Sequence, residues 1–118
     1  MIEIKIKPLS VNECWQGKRF KTPKYNAYER SLLLMLPKIT VPQKPLKLVL
    51  EFGFSNSSSD WDNAIKPFQD ILVKKYDFDD RDVYEAEIKK TKVTKGNEFV
   101  RFELTSLVKA EAKTIFLK

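Results

Sequence analysis

A chain of 118 residues has room for one folded domain with its own core, and we expect a single domain over residues 1–118. It has no histidine and one cysteine, Cys14, which excludes Ser-His-Asp and Cys-His catalysis, an intrachain disulfide and a cysteine-rich zinc site. Chemistry in this chain must therefore rest on carboxylates and lysines, whose natural metal partner is a hard cation such as Mg²⁺ or Mn²⁺.

The net charge of +6 is unevenly distributed: residues 1–50 carry +7 and residues 91–118 carry +3, but residues 51–90 carry −4. Seven aspartates lie within the 23 residues from Asp60 to Asp82. Concentrated acids repel phosphates, unless a divalent cation inverts the local charge. The pattern fits a metal-dependent nuclease, and a solvated acidic face on an ordinary domain explains the charge equally well.

No apolar run approaches the ~20 residues that a membrane span requires. The first eight residues, MIEIKIKP, are typical of a strand and not of a signal peptide. We therefore expect a soluble, cytoplasmic protein.

The first half of the chain predicts a strand, a basic loop, a helix and a second strand. Residues 1–7 alternate between isoleucine and polar residues until Pro8, and a basic loop follows. Thr22 and Pro23 begin a helix that Pro37 ends, with one apolar face formed by Tyr25, Tyr28, Leu32 and Met35. The second strand alternates through Leu46, Leu48, Leu50, Phe52 and Phe54.

The second half predicts a helix, two strands and a short terminal helix. The helix spans residues 63–76, with an irregular start near 62–66 because Pro67 lacks an amide donor. Strands follow at 84–89 and 100–104, separated by a turn at 95–97. Residues from Leu107 onward complete the order β-α-β-α-β-β-α, which favours an α+β fold with a mixed sheet.

The segment with most chemical potential begins at Asp60, Asp62 and Asn63, continues through Lys66 and Asp70, and ends at Asp79 and Asp80. The first acids follow a strand and the last acids precede the next strand. If those strands are neighbours, we expect both acidic groups to emerge at related ends of the sheet and to converge on one Mg²⁺. A lone D-x-D is more often a helix cap or a turn, but the whole set in a histidine-free basic chain is more specific.

At these residues the chain resembles the RusA family of Holliday-junction resolvases. The pattern D-x-D-N-x-x-K-x-x-x-D-x-L is present at Asp60, Asp62, Asn63, Lys66, Asp70 and Leu72, and D-D-x-x-V follows at Asp79, Asp80 and Val83. An earlier S-x-N motif and basic loop match at Ser10, Asn12, Trp15, Gly17 and Arg19. The chain departs from the pattern at Ser57–Ser59 and at Pro67.

The resemblance implies a homodimeric endonuclease that nicks four-way DNA junctions symmetrically with Mg²⁺. By position it assigns the metal ligands to Asp60, Asp62 and Asp80, and the essential lysine to Lys66. Two other readings stay open: a non-catalytic nucleic-acid-binding protein on the same scaffold, and a metal-dependent nuclease acting on flap DNA or RNA.

Several neighbouring residues have weaker roles in this interpretation. We expect Asp70 to pair with Lys66 or to support the ligands, Asp79 to orient Asp80, and Asn63 to cap the helix. Asp77 and Asp82 are expected to be solvated turn acids, and Trp15 and Trp61 to be packing residues. DNA contacts are assigned to Asn12, Lys18, Arg19 and Lys21.

Overall fold

A computed structural model of the chain describes residues 1–17 and 20–108. Its helices are α1 (Pro23–Met35) and α2 (Trp61–Lys75), with short 3₁₀ turns at Val11–Glu13 and Asp80–Asp82. Its strands are β1 (Ile2–Ile4), β2 (Trp15–Gln16), β3 (Phe20–Lys21), β4 (Leu46–Phe54), β5 (Val83–Lys92) and β6 (Phe99–Ser106).

Four of the strands form one mixed sheet in the order β1-β6-β4-β5. β4 pairs in parallel with β5 and antiparallel with β6, and β1 pairs antiparallel with β6. β2 and β3 form a separate two-stranded hairpin within the loop that the sequence predicts as basic. The expectation of an α+β fold with a mixed sheet is therefore confirmed.

The core lies between the helices and one face of this sheet, which the even-numbered residues of β4 supply. Phe68 of α2 joins the two layers, because its ring meets those of Phe52 and Phe102 edge-on at centroid distances of 5.9 and 6.1 Å. The apolar face of α1 buries Tyr25, Tyr28 and Leu32 against the same core. Met35, predicted on that face, is 46% exposed because the helix ends there.

The opposite face of the sheet, which the odd-numbered residues of β4 occupy, is called the open face below. Its centre is Glu51, which is only 7% exposed. Glu51 accepts hydrogen bonds from Thr91 at 2.6 Å and from Arg101 at 3.1 Å. Burial alone would raise the pKa of Glu51, but these two donors lower it, so that the carboxylate stays charged.

Helix α2 differs from its expected form. The chain is α-helical from Trp61 without an irregular first turn, and Pro67 lies in the second turn with its ring fully buried. Pro67 costs one backbone hydrogen bond, to the Asn63 carbonyl, and contributes apolar contact to the core in exchange. The predicted terminal helix lies mostly outside the described residues, which end at Val108.

Within residues 1–17 and 20–108, neither α-helix is long and apolar enough to cross a membrane.

We predict that Gly53→Ala destabilises the sheet. A methyl group at Gly53 would overlap the ring of Phe99, which is buried and has the Arg101 guanidinium stacked over it at 4.1 Å. Overpacking of this kind costs about 1–3 kcal/mol, measurable by urea unfolding. The same substitution in a Phe99→Ala background should cost much less, and equal costs in both backgrounds would contradict the overlap.

Candidate active site

The two acidic segments lie at opposite ends of the sheet. Asp60 follows the carboxyl end of β4, whereas Asp80 precedes the amino end of β5. Because these strands are parallel, with Leu46 opposite Val83 and Phe54 opposite Lys92, a strand length of roughly 30 Å separates the two ends. The expectation that both acidic groups emerge at related ends of the sheet is wrong. The expectation required only that the two flanking strands be neighbours, but these strands are also parallel, so the crossover through α2 joins opposite ends of the sheet.

The middle of α2 nevertheless reaches the second acidic segment. Lys66 Nζ lies 2.8 Å from an Asp70 carboxylate oxygen and 3.5 Å from Asp80 Oδ2. Gln69 Nε2 donates a 2.9 Å hydrogen bond to Asp80 Oδ1. The expected Lys66–Asp70 pair is thus confirmed, and Asp80 is held against the helix by two neighbouring side chains.

The charge on Lys66 is stabilised by this arrangement. The hydrogen bond to Asp70 raises its pKa, and Asp80 adds to the effect, so the ammonium persists at all neutral and mildly alkaline pH values. The lysine side chain is 60% exposed, so solvent screens the pair and its contribution to stability is small. Its importance is positional, because it places a fixed positive charge beside Asp80.

Asp80 sits on a 3₁₀ turn that its neighbours make rigid. Asp82 accepts a 2.8 Å hydrogen bond from the Asp79 amide, and its own amide donates to the Asp79 carbonyl at 2.9 Å. The hydrogen bond from the Asp79 amide and the Lys44 ammonium, 3.1 Å from Asp82 Oδ2, lower the pKa of the Asp82 carboxyl. Asp82 was expected to be a solvated turn acid, but it anchors the turn; Asp77 is exposed, as expected.

The first acidic segment surrounds the amino terminus of α2. Asp60 occupies the N-cap position without a side-chain bond to the backbone, and Asp62 lies in the first turn. Asn63 is a residue of the first turn and not the cap; its Nδ2 lies 3.4 Å from Asp60 Oδ2. The helix dipole favours carboxylates at this end, where both aspartates are exposed to solvent.

A cleft of about 250 Å³ joins this segment to the S-x-N motif. Its lining includes Lys7, Ser10 and Glu13 from the first part of the chain, together with Asp60 and Asn63. The Ser10 side chain caps the first 3₁₀ turn by accepting the Asn12 amide at 3.2 Å. Two sequence motifs that are fifty residues apart therefore share one cleft.

The β2–β3 hairpin lies on the Asp70 side of α2. Burial, followed by the charge of Asp70, raises the pKa of Tyr25 to about 12, and Trp15 meets the Tyr25 ring edge-on at 5.7 Å. Lys21 lies over the same ring and pairs with Glu29 at 3.0 Å. Lys18 and Arg19 lie outside the described residues.

Both tryptophans are less buried than expected. Trp15 is 44% exposed and Trp61 is 48% exposed, so neither is a core residue. Trp15 belongs to a two-residue strand, and Trp61 is the first residue of α2. Asn12 is also exposed, which leaves its side chain available for a ligand.

The predicted ligands carry the right kind of oxygen for a hard divalent cation, but they are not grouped as a metal site requires. Asp60, Asp62 and Asp80 supply the oxygen ligands that Mg²⁺ prefers. Among residues 1–17 and 20–108, however, no three acidic or cysteine side chains are grouped closely enough to hold a metal ion. Lys66 instead provides the cationic partner of Asp80 in this conformation.

Gln69 is the site residue that the sequence did not single out. It follows Lys66 by three residues, a spacing that places both side chains on one face of a helix. That spacing could have indicated it, but only the folded chain brings Asp80 to the same face.

No protein-family model and no curated protein matches this chain. The resemblance described above therefore rests on the motif residues alone.

We predict that the Cys14 thiol reacts very slowly with thiol reagents. Because Cys14 directly precedes β2, its reaction rate tests how the base of the β2–β3 hairpin is packed. The thiol is 1% exposed, and burial raises its pKa to about 11, with smaller contributions from Glu13 and Asp70. At pH 8 roughly 0.1% of it is thiolate, so we expect DTNB to react at least ~100-fold more slowly than with the chain in urea. Equal rates in both conditions would contradict this packing.

Proposed function

We propose that this chain is a Mg²⁺-dependent endodeoxyribonuclease of the RusA type, which resolves Holliday junctions and other branched DNA by paired symmetric nicks. In this proposal it acts in recombination and repair as a cytoplasmic homodimer. The observation that carries the proposal is the 3.5 Å contact between Lys66 and Asp80, because it joins the two motif segments across fourteen residues of sequence.

Each motif residue has a distinct proposed role. Asp60, Asp62 and Asp80 are the proposed Mg²⁺ ligands, and they would have to approach one another from the separate positions described above to share one ion; a bound ion would lower the pKa of water and neutralise phosphate oxygens. Lys66 offsets negative charge that builds on the phosphate, since its ammonium is fixed beside Asp80. Asp70 orients Lys66 through their 2.8 Å pair, and the turn formed by Asp79 and Asp82 positions Asp80.

DNA binding is assigned to the basic hairpin and the S-x-N turn. The turn that carries Asn12 packs against α2, and Lys21 shares its partner Glu29 with Lys74 of α2. Lys18 and Arg19 belong to the same loop in sequence. Contacts to phosphates would orient the duplex arms without reading their sequence. The exposed ring of Trp15, 44% accessible, is available to stack on a base where strands separate.

One observation favours a second candidate, a non-catalytic DNA-binding protein on the same fold. The described residues contain no three-acid group close enough to hold a metal ion, and a binder has no need of one. A pure binder cuts neither with Mg²⁺ nor with EDTA, so the two candidates are separable in one assay.

The deciding experiment compares cleavage of a four-way junction, a flap, a duplex and RNA in Mg²⁺, Mn²⁺ and EDTA. The proposal expects metal-dependent, symmetric cutting of the junction. Cutting of flap DNA or RNA in preference to the junction would replace junction resolution with another nuclease activity. Absence of cutting on all four substrates, with junction binding retained, would leave the binding protein.

We predict that Asp80→Asn reduces junction cutting by a factor on the order of 10² or more. Junction binding should persist or strengthen, because one negative charge is removed near the DNA. The matched control is Asp77→Asn, which removes the same charge from an exposed turn residue and should cut normally. Loss of binding together with cutting in Asp80→Asn would make this residue structural.

We also predict that neutralising Lys18, Arg19 and Lys21 to glutamine weakens DNA binding and flattens its salt dependence. Each lost phosphate contact lowers the slope of log K against log salt by roughly 0.9. A control variant that neutralises Lys5 and Lys38, two exposed lysines elsewhere in the chain, should keep the wild-type slope. An unchanged slope in the hairpin variant would place the hairpin away from DNA.

A further inference from the structure

Strand β5 forms an edge of the sheet, and its outer side has no pairing strand among the described residues. It is ten residues long and contains no proline or glycine. A long edge of this kind presents free backbone donors and acceptors to any strand that can align with it. Most of its residues are exposed.

The core-side face of β5 is only partly covered. Ile88 packs partly against the core, and Ala86, two residues earlier on the same face, is exposed. Tyr84 lies where the pairing with β4 is irregular, between Leu46 and Lys47, and is 73% exposed. Apolar residues of this edge strand therefore lack a full cover in the described part of the chain.

The charges on β5 change sign halfway along the strand. Glu85 and Glu87 come first, and Lys89, Lys90 and Lys92 follow. Contacts of Glu87 with Lys47 at 3.3 Å and of Thr91 with Glu51 at 2.6 Å place the odd-numbered residues of β5 from Glu85 onward on the open face. The strand is thus acidic at one end and basic at the other.

We propose that the β5 edges of two copies of this chain pair antiparallel about a twofold axis at Ile88, forming one continuous eight-stranded sheet. A twofold axis perpendicular to the sheet keeps both open faces on the same side and brings the acidic half of each strand to the basic half of the other. Glu87 then lies opposite Lys89 of the partner subunit, twice, and the two Ile88 side chains meet at the axis.

The charges select this register from its neighbours. Centring the pair on Glu87 or on Lys89 would place identical charges directly opposite each other at the axis. Centring it on Ala86 would place Glu85 opposite a second glutamate twice. Like charges directly opposite each other across strands are destabilising, whereas the Ile88-centred register has none.

This inference names the surface of the proposed homodimer, and it rests on the proposed function only for the expectation of two copies. The two are separately testable. A dimer that forms through β5 but does not cut DNA would contradict the proposed nuclease activity and leave the interface standing. A nuclease whose dimerisation is unaffected by substitutions on β5 would contradict the interface and leave the activity standing.

Charge reversal on β5 tests the register. Glu87→Lys and Lys89→Glu should each weaken the dimer at least about tenfold in sedimentation or light scattering, because each creates two like-charged pairs. The double reversal should restore affinity to within about threefold, since the pairs return with exchanged signs. Glu103→Lys is the matched control: it is exposed on the open face of β6, two strands from the edge.

A chain that is monomeric throughout the measurable concentration range would overturn the proposal. So would single reversals that leave the dimer unchanged while circular dichroism reports a native fold, or a double reversal that fails to recover association.

A cysteine cross-link provides a readout that does not depend on charge. In the Ile88-centred register the two Cα atoms at the axis lie about 4.5–5.5 Å apart, within disulfide range. Ile88→Cys should therefore give a covalent dimer on mild oxidation, while the native thiol, Cys14, is buried and does not compete. Ala86→Cys is the control, because its copies would lie roughly 14 Å apart. Failure of Ile88→Cys to cross-link, or equal cross-linking of both variants, would overturn the register.

Discussion

The parallel pairing of β4 with β5 is the constraint on which the rest of the structure depends. Parallel neighbours cannot be joined by a hairpin, so the chain must cross back along the sheet, and α2 makes that crossing. The crossover places Asp60 at one end of the sheet and Asp80 at the other. Side chains in the middle of α2 then meet the second acidic segment, where Lys66 and Gln69 contact Asp80.

The fold was largely predictable because its elements have strong local signals. Alternation located the long strands, and Thr22 with Pro23 located the start of α1, where the Thr22 side chain accepts the Tyr25 amide at 3.1 Å. The site was less predictable. Sequence spacing found the Lys66–Asp70 pair, because both residues lie on one helix, but the direction of the crossover and the contact of Gln69 with Asp80 depend on tertiary structure. Such long-range placement has no periodic signature.

Electrostatics explains how the acidic segment is stable in a basic chain. Asp80 has Lys66 and Gln69 as donors, Asp82 has Lys44 and a backbone amide, and Asp60 and Asp62 lie at the positive end of a helix dipole. The fold therefore compensates each group of acids separately. A cation bound by Asp80 would have to compete with the Lys66 ammonium for that carboxylate.

Strand β5 directly continues the 3₁₀ turn that carries Asp80. β5 begins at Val83, and the Asp79–Asp82 hydrogen bonds leave that turn little freedom of its own. Lys44, which precedes β4, ties the turn to the neighbouring strand through Asp82. A partner strand that pairs with β5 would therefore also restrain the backbone of Asp80. Dimerisation through β5 would then affect the orientation of the Asp80 carboxylate, because only Arg81 and Asp82 separate Asp80 from the strand.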